Sequence, residues 1–366
     1  MGTIRQVALA PFSLLYGLGM QVRNFFYDWG LFPSSSFDKS VISVGNLSYG
    51  GTGKTPMVEY LVRLLQCDYH VATLSRGYGR ESKGFILASK RSSVKYIGDE
   101  PLQYLKKFDS IKVAVDENRK HGITQLLQKY PELDVVLLDD AFQHRQVRPG
   151  ISILLTDYHR LYSEDFVLPS GTLREFRRGA GRADIIIVTK TPAIFSPITK
   201  RRIQQSLHPA SHQSLFFSFI RYGAFVPFQN EGVDPIPEKI NTILLFTGIA
   251  DDYPLQDYLK RKCSELITLK FPDHHPYNEK EIEVIKRKFE GLPTKKKILV
   301  TTEKDMMRLK TSALYTKLKN MPLFCVPIEI DFHGNNKELF DQEILTYVKA
   351  NRRNPDISKR TDHRKT

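Results

Sequence analysis

One stretch, VISVGNLSYGGTGKTP from Val41 to Pro56, constrains the fold more than any other. Val41 to Val44 read as a strand. Gly50, Gly51 and Gly53 supply a loop whose backbone N–H groups can close around an anion without side-chain obstruction. Val58, Leu61, Val62 and Leu65 then give the i, i+3, i+4, i+7 stripe of a helix, with Pro56 tolerated in its first turn. Strand, glycine loop and helix in that order make a phosphate cradle, because aligned N–H groups at a helix N-terminus attract negative charge. The candidate ATP-binding residues are therefore Ser48, Tyr49, Gly50, Gly51, Thr52, Gly53, Lys54 and Thr55. Lys54 can oppose the β- and γ-phosphates, and the Thr55 hydroxyl can serve Mg²⁺. The spelling departs from G-x-x-x-x-G-K-[ST] at Ser48, which costs backbone freedom but removes no phosphate contact.

Five further runs, at 70–75, 111–116, 134–140, 151–157 and 184–190, are rich in Val, Ile and Leu and end in polar or turn residues. Near-continuous apolar strands separated by crossovers predict a parallel sheet covered on both faces. DVVLLDD places Asp139 and Asp140 at the C-terminal edge of one strand, where such sheets bind ligands and where a carboxylate reaches Mg²⁺. After about residue 195 come a basic cluster, two prolines and an alternating strand. Beyond them TILLFTGI, LITLKFPDHH, KKILVTTEKD and LFCVPIEI form a second set. The expected fold is α/β, with a P-loop NTPase-like parallel-sheet domain, a smaller α/β domain and an N-terminal hydrophobic or amphipathic helix. The expected divisions are 1–40 for the helical segment, 41–205 for the P-loop core, 206–350 for the smaller domain and 351–366 for a basic tail.

Bulk properties narrow the partners. The 366 residues, 41% hydrophobic and 26% charged, fit a soluble globular chain with two cores. The net charge of +14, only +4 of it in the last sixteen residues, favours an anionic partner, whether nucleic acid, anionic lipid or a phosphorylated substrate. Cys67, Cys263 and Cys325 are scattered and odd in number, which speaks against a disulfide framework or structural zinc and for a reducing compartment. The N-terminal apolar run is broken by Pro11, Ser13, Gly17, Gly19 and Gln21, so it is not a clean span. Leu14, Leu18, Val22 and Phe25 at helical spacing, with Tyr16, Tyr27 and Trp29 nearby, suit a helix lying on a membrane surface or one packed on the core.

The chain lacks the N-K-x-D of guanine recognition, and Tyr49 stands where partition-type ATPases carry lysine. Hydroxyl phosphorylation needs a base, a metal and positive charge. Candidates are Asp99 and Glu100 of YIGDEP, Asp273, His274 and His275 of FPDHHPY, and the arginines of LPSGTLREFRRGAGR.

Together VGNLSYGGTGKTP, LSRGYGR, GDEP, DDAFQHR, LPSGTLRE, FTGIA, FPDHH and TTEKD resemble the tetraacyldisaccharide 4'-kinase family of lipid A biosynthesis. The family's own loop begins with Ser or Thr, so Ser48 agrees with it. The resemblance implies transfer of the γ-phosphate of ATP, with Mg²⁺, to the 4'-hydroxyl of a tetraacylated, 1-phosphorylated glucosamine disaccharide. It implies Asp99 as general base assisted by His274, and Asp139 and Asp140 serving metal and nucleotide. Gln143 and His144 would line the same site, with Arg174 and Glu175 close to the phosphates or metal, and Glu100 beside Asp99 is a further candidate. It favours lipid over nucleic acid as partner and a monomer peripheral to the cytoplasmic face of the inner membrane. Two departures, Ala141 where the family has glycine and Pro149 where it has aspartate, raise the question of local loop geometry, since Ala141 would be strained at positive φ.

Overall fold

The structure, a computed structural model, describes residues 2–228, 236–249, 251–273, 275–310, 314–318 and 320–353. His274 and the basic tail from 354 onward lie outside them. The chain opens with α1 (Gly2–Asp28) and continues through β1 (Ser40–Asn46), α2 (Lys54–Leu65), β2 (Val71–Ser75), β3 (Ile86–Leu87), α3 (Val94–Ile97) and α4 (Asp99–Lys107). It proceeds through β4 (Lys112–Val115), α5 (Arg119–Lys129), β5 (Val135–Asp139), β6 (Ile151–Asp157), β7 (Ile185–Thr189), α6 (Pro197–Leu207) and β8 (Ser214–Tyr222). The remainder holds β9 (Val226–Pro227), β10 (Ile240–Thr247), α7 (Tyr253–Lys260), β11 (Cys263–Lys270), α8 (Glu279–Glu290) and β12 (Lys297–Thr302). Last come α9 (Glu303–Lys310), α10 (Tyr315–Leu318), β13 (Leu323–Val326), β14 (Ile328–Phe332) and α11 (Asn336–Arg353).

Among the described residues the large sheet has nine strands in the order β14-β8-β7-β6-β1-β5-β2-β4-β3, and the small sheet five in the order β11-β10-β12-β13-β9. The seven inner strands of the large sheet are parallel, as the continuous apolar runs require, and antiparallel β14 and β3 close its edges. On one face Met57, Val58, Leu61 and Leu65 of α2 and Phe340, Ile344 and Val348 of α11 pack on Ile42, Val44, Val135 and Ile153. Ile123 and Leu126 of α5 and Ile203 and Leu207 of α6 cover the other face. With both faces buried, ligands have access at the strand ends.

The division between the two units differs from the expected 206–350. Strand β8 pairs parallel with β7, and β14 pairs antiparallel with β8, so residues 214–222 and 328–353 belong to the large unit. LFCVPIEI, which looks like one strand, is cut by Pro327. Its first half pairs with β12 in the small sheet and its second half with β8 in the large one. Proline has no N–H to give a continuing ladder, and the chain changes sheets there, alongside Gly223, whose N–H donates to the Pro327 carbonyl at 2.9 Å.

The first helix presents an inverted face to the protein. Ser13 and Asn24 are buried, while Leu14, Leu18, Val22 and Phe25, the predicted apolar stripe, are 56, 49, 52 and 41% exposed. Polar bonds hold it: the Asn24 amide donates to Glu175 Oε2 at 2.7 Å, Arg23 to the Gln143 carbonyl at 3.0 Å and Arg145 to Asp28 at 2.6 Å. A Cβ at Gly17 would overlap the Phe176 ring, so glycine is what lets the helix approach. Within the described residues no helix is long and apolar enough to cross a membrane.

If α11 completes the core of the large unit, Phe340→Ala should cost about 3–5 kcal/mol, the usual loss for a large ring removed from a packed core. Denaturant unfolding followed by fluorescence measures it, and a loss below about 1 kcal/mol would contradict this packing.

Candidate active site

Parallel register brings the pieces together. Val44 of β1 lies opposite Asp139 of β5, so the glycine loop and the carboxylate pair leave the sheet side by side. The loop takes its curvature from Gly50 (φ 120°) and Gly53 (φ 87°), angles that side chains other than glycine resist. It is fixed at both ends. The Tyr49 N–H donates to the Thr172 carbonyl at 2.6 Å, Ser48 bridges to Leu173, and Thr189 Oγ1 donates to the Thr52 carbonyl at 2.9 Å. Inside it, the Asn46 amide donates to Thr52 Oγ1 at 2.8 Å, and Lys54 Nζ lies 3.4 Å from Asn46 Oδ1 and 3.7 Å from Asp140. Lys54 and Thr55 are the first residues of α2, where backbone N–H groups lack helical partners.

Asp139 is fully enclosed. Its Oδ2 accepts from the Tyr104 hydroxyl at 2.9 Å, and its buried Oδ1 has no hydrogen-bond partner. Burial, reinforced by Glu100 and Asp140, pushes its carboxyl up to about 7. Asp140 behaves oppositely. Burial opposes its charge, but Lys54 and Arg174 hold it below the usual carboxylate range. Arg174 grips it with two bonds, at 2.9 and 3.2 Å. The anticipated strain at Ala141 falls one residue earlier: Asp140 has φ 48°, and Ala141 is not among the residues at positive φ.

Around this pair Gln143 donates to the Asn46 carbonyl at 2.9 Å and to Glu175 at 3.2 Å. Burial and neighbouring Arg119 push His144 down to about 4, so it is neutral at pH 7. Glu175 sits one step behind the loop, bonded to Asn24, Gln143 and Arg182, where it anchors α1. Arg177 donates to the Asp165 carbonyl, so of the basic run Arg174 is the member that reaches the carboxylates.

Asp99 and Glu100 form the first turn of α4, and the small unit meets them there through α9. The Arg308 guanidinium lies 2.8 Å from Asp99, Lys304 3.1 Å from Glu100, and Lys107 3.0 Å from Glu303. The three pairs run antiparallel along the two helices. Glu100 also accepts from Thr55 Oγ1 at 3.0 Å, which ties the cleft to the glycine loop. Beside Asp99 opens a cavity of about 470 Å³ lined by Tyr78, Lys95, Tyr277 and Arg308.

Sequence reasoning missed several of these groups. Asn46 is hidden in the strand, Arg119 is 1% exposed and donates to the Asp139 carbonyl at 3.2 Å, and Lys304 and Arg308 lie some 200 residues from their partners. TTEKD was visible as a motif, but its spacing assigns no partner.

The arrangement fits a nucleotide-bound magnesium ion. No cluster of three or more His, Cys, Asp or Glu able to hold a metal occurs among the described residues. Mg²⁺ on phosphates needs only one or two protein ligands, however, and the unpartnered Asp139 oxygen is of the right kind. Because the fold raises the Asp139 pKa from an ordinary 3.8 to about 7, the folded chain binds a proton in that window that the unfolded chain does not. The resulting stability is full below 3.8 and lost as pH rises through 7. Without nucleotide, Asp139→Asn should therefore raise Tm at pH 8 by about 1–3 °C and by less at pH 5.5, as read by scanning calorimetry. An equal change at both pH values would contradict this origin.

The sequence pattern of one family, LpxK, tetraacyldisaccharide-1-P 4'-kinase, matches residues 5–349. The chain is 47% identical over 363 residues to tetraacyldisaccharide 4'-kinase of Bacteroides thetaiotaomicron, covering 96% of each chain. It is 46% identical to the enzyme of that name from Flavobacterium johnsoniae, covering 96% of this chain and 99% of that one. Its fold is similar to the crystal structure of "apo" form LpxK from Aquifex aeolicus in complex with ATP. There the TM-score is 0.71 and the identity 29%, with 94% of this chain and 99% of that chain covered. With the glycine loop, the carboxylate pair and the two-unit cleft in place, this chain belongs to the tetraacyldisaccharide-1-P 4'-kinase family.

Proposed function

We propose that the chain is an ATP-dependent kinase that phosphorylates the 4'-hydroxyl of a tetraacyldisaccharide 1-phosphate in lipid A synthesis, working in the cleft between its two units. The observation that carries this reading is the meeting of Lys54, Thr55, Asp139, Asp140 and Asp99 at one end of the large sheet in a member of this family. The site is P-loop NTPase-like: backbone N–H groups from Tyr49 to Thr55 cradle the phosphates, and Lys54 opposes their charge. Mg²⁺, held by Thr55 and Asp139 with Asp140 beside it, would neutralise charge on the phosphate oxygens. Arg174, itself bonded to Gln143, keeps Asp140 in position, and His144 beside them is neutral.

Asp99 takes the acceptor's proton. It faces the cavity in which an acceptor sugar would sit against Tyr78 and Tyr277, and in the family resemblance His274 assists it. The sugar oxygen attacks the γ-phosphorus as the bond to the bridging β,γ-oxygen breaks, releasing ADP. Asp99→Asn should lower kcat for lipid phosphorylation at least about 100-fold, the usual contribution of a positioned base. ATP affinity should change less than about threefold. Full turnover in that variant would remove Asp99 from the role.

The exposed apolar face of α1, with Trp29, Leu31 and Phe32 beyond it, is the means of peripheral attachment to the cytoplasmic face of the inner membrane. A soluble protein rarely leaves so continuous an apolar surface in water. The net charge of +14 adds attraction to an anionic leaflet. Leu14→Glu with Leu18→Glu should reduce co-sedimentation with vesicles of phosphatidylethanolamine and phosphatidylglycerol at least about tenfold while leaving Tm in place. Unchanged vesicle binding would show that α1 does not dock.

A further inference from the structure

Lys304 is a second cation beside the glycine loop, contributed by the other unit. It is in the first turn of α9, and its Nζ lies 3.1 Å from the same Glu100 Oε1 that accepts from Thr55 Oγ1 at 3.0 Å. One carboxylate oxygen therefore separates this ammonium from the hydroxyl that serves the metal. Its side chain retains 29% exposure at the cleft. Burial opposes its charge, but Glu100 holds its pKa above the ordinary lysine value, so it is fully charged at pH 7.

Three arginines near the loop are more firmly engaged. Arg174 is fork-bonded to Asp140, and Arg119 is enclosed and bonded to the Asp116 and Asp139 carbonyls. Arg308 is tied to Asp99, Asp305 and the Gly248 carbonyl. Lys304 makes a single bond to a single carboxylate. A flexible four-carbon stem with three donors can exchange that bond for phosphate oxygens without unfolding anything.

We propose that Lys304 is a catalytic cation of the phosphoryl transfer, leaving Glu100 to contact the γ-phosphate oxygens when nucleotide and metal are bound. It takes no proton. The oxygen–phosphorus bond to ADP breaks, the bond to the sugar oxygen forms, the hydroxyl proton goes to Asp99, and Lys304 balances the charge spread over the three equatorial oxygens. Because Lys304 belongs to the small unit, transfer then depends on how the two units meet across the cleft. This rests on the kinase assignment above.

The test is titration calorimetry on the whole protein with Mg²⁺ and either ADP or ADP plus aluminium fluoride, which mimics the group in flight. In Lys304→Met, which retains the stem, ADP affinity should stay within about threefold of wild type. The ADP–aluminium fluoride complex should weaken at least about 100-fold, the typical loss for one preorganised charge contact. Lys304→Arg should recover part of it. Equal weakening of both ligands, no weakening of either, or a wild type that gains no affinity from aluminium fluoride overturns the proposal. Failure of the kinase assignment would show separately, as wild-type protein that binds ADP–aluminium fluoride tightly yet phosphorylates no lipid.

Discussion

Four carboxylates, Asp99, Glu100, Asp139 and Asp140, converge at one end of the large sheet, and the structure is organised around keeping that charge balanced. Three are opposed, each from a different direction: Asp140 by Lys54 and Arg174, Glu100 by Lys304, and Asp99 by Arg308. Asp139 is the exception. It has one hydroxyl and one unpartnered oxygen, and its carboxyl is raised to about 7. Clustered like charges are tolerated where a cation completes the set, and a nucleotide-bound metal would supply one. The demands of phosphate chemistry and of folding therefore meet in the same residues.

The same balance joins the two units. Three ion pairs run antiparallel between α4 and α9, and a fourth contact, Lys107 to Glu59 at 2.7 Å, continues the line into α2 behind the glycine loop. Exposed ion pairs contribute little, but here Glu59 is 1% exposed and the network is partly enclosed. Separating the units would leave buried charges unpaired. The two strand crossings at Gly223 and Pro327 allow the units to be built as separate sheets, and the charge ladder keeps them facing each other.

Much of this was legible in the residues. All six predicted strands of the first half appear, because a strand buried on both faces has few polar positions and its apolar run is hard to misread. The glycine loop and the carboxylate pair were equally plain, since their spacing is local. What the sequence hid was long-range or inverted. Nothing in LFCVPIEI tells which half joins which sheet, and the return of α11 to the first core is a tertiary event. The apolar stripe of α1 was visible, but its direction was not. Periodicity shows that one face differs from the other, and only Ser13, Gly17 and Asn24 meeting Ser170, Phe176 and Glu175 shows which face is turned inward. Lys304 was in plain sight within TTEKD and had no partner until the fold supplied Glu100.

This cleft moves phosphate from ATP onto one hydroxyl of a lipid sugar. Phosphorus NMR of the extracted lipid, after wild-type protein has acted on ATP and tetraacyldisaccharide 1-phosphate in detergent micelles, tests it directly. A second phosphomonoester resonance that correlates with the proton on carbon 4' of the disaccharide is the expected result. A lipid that still carries only its 1-phosphate, with the γ-phosphate recovered in water as inorganic phosphate, would contradict it.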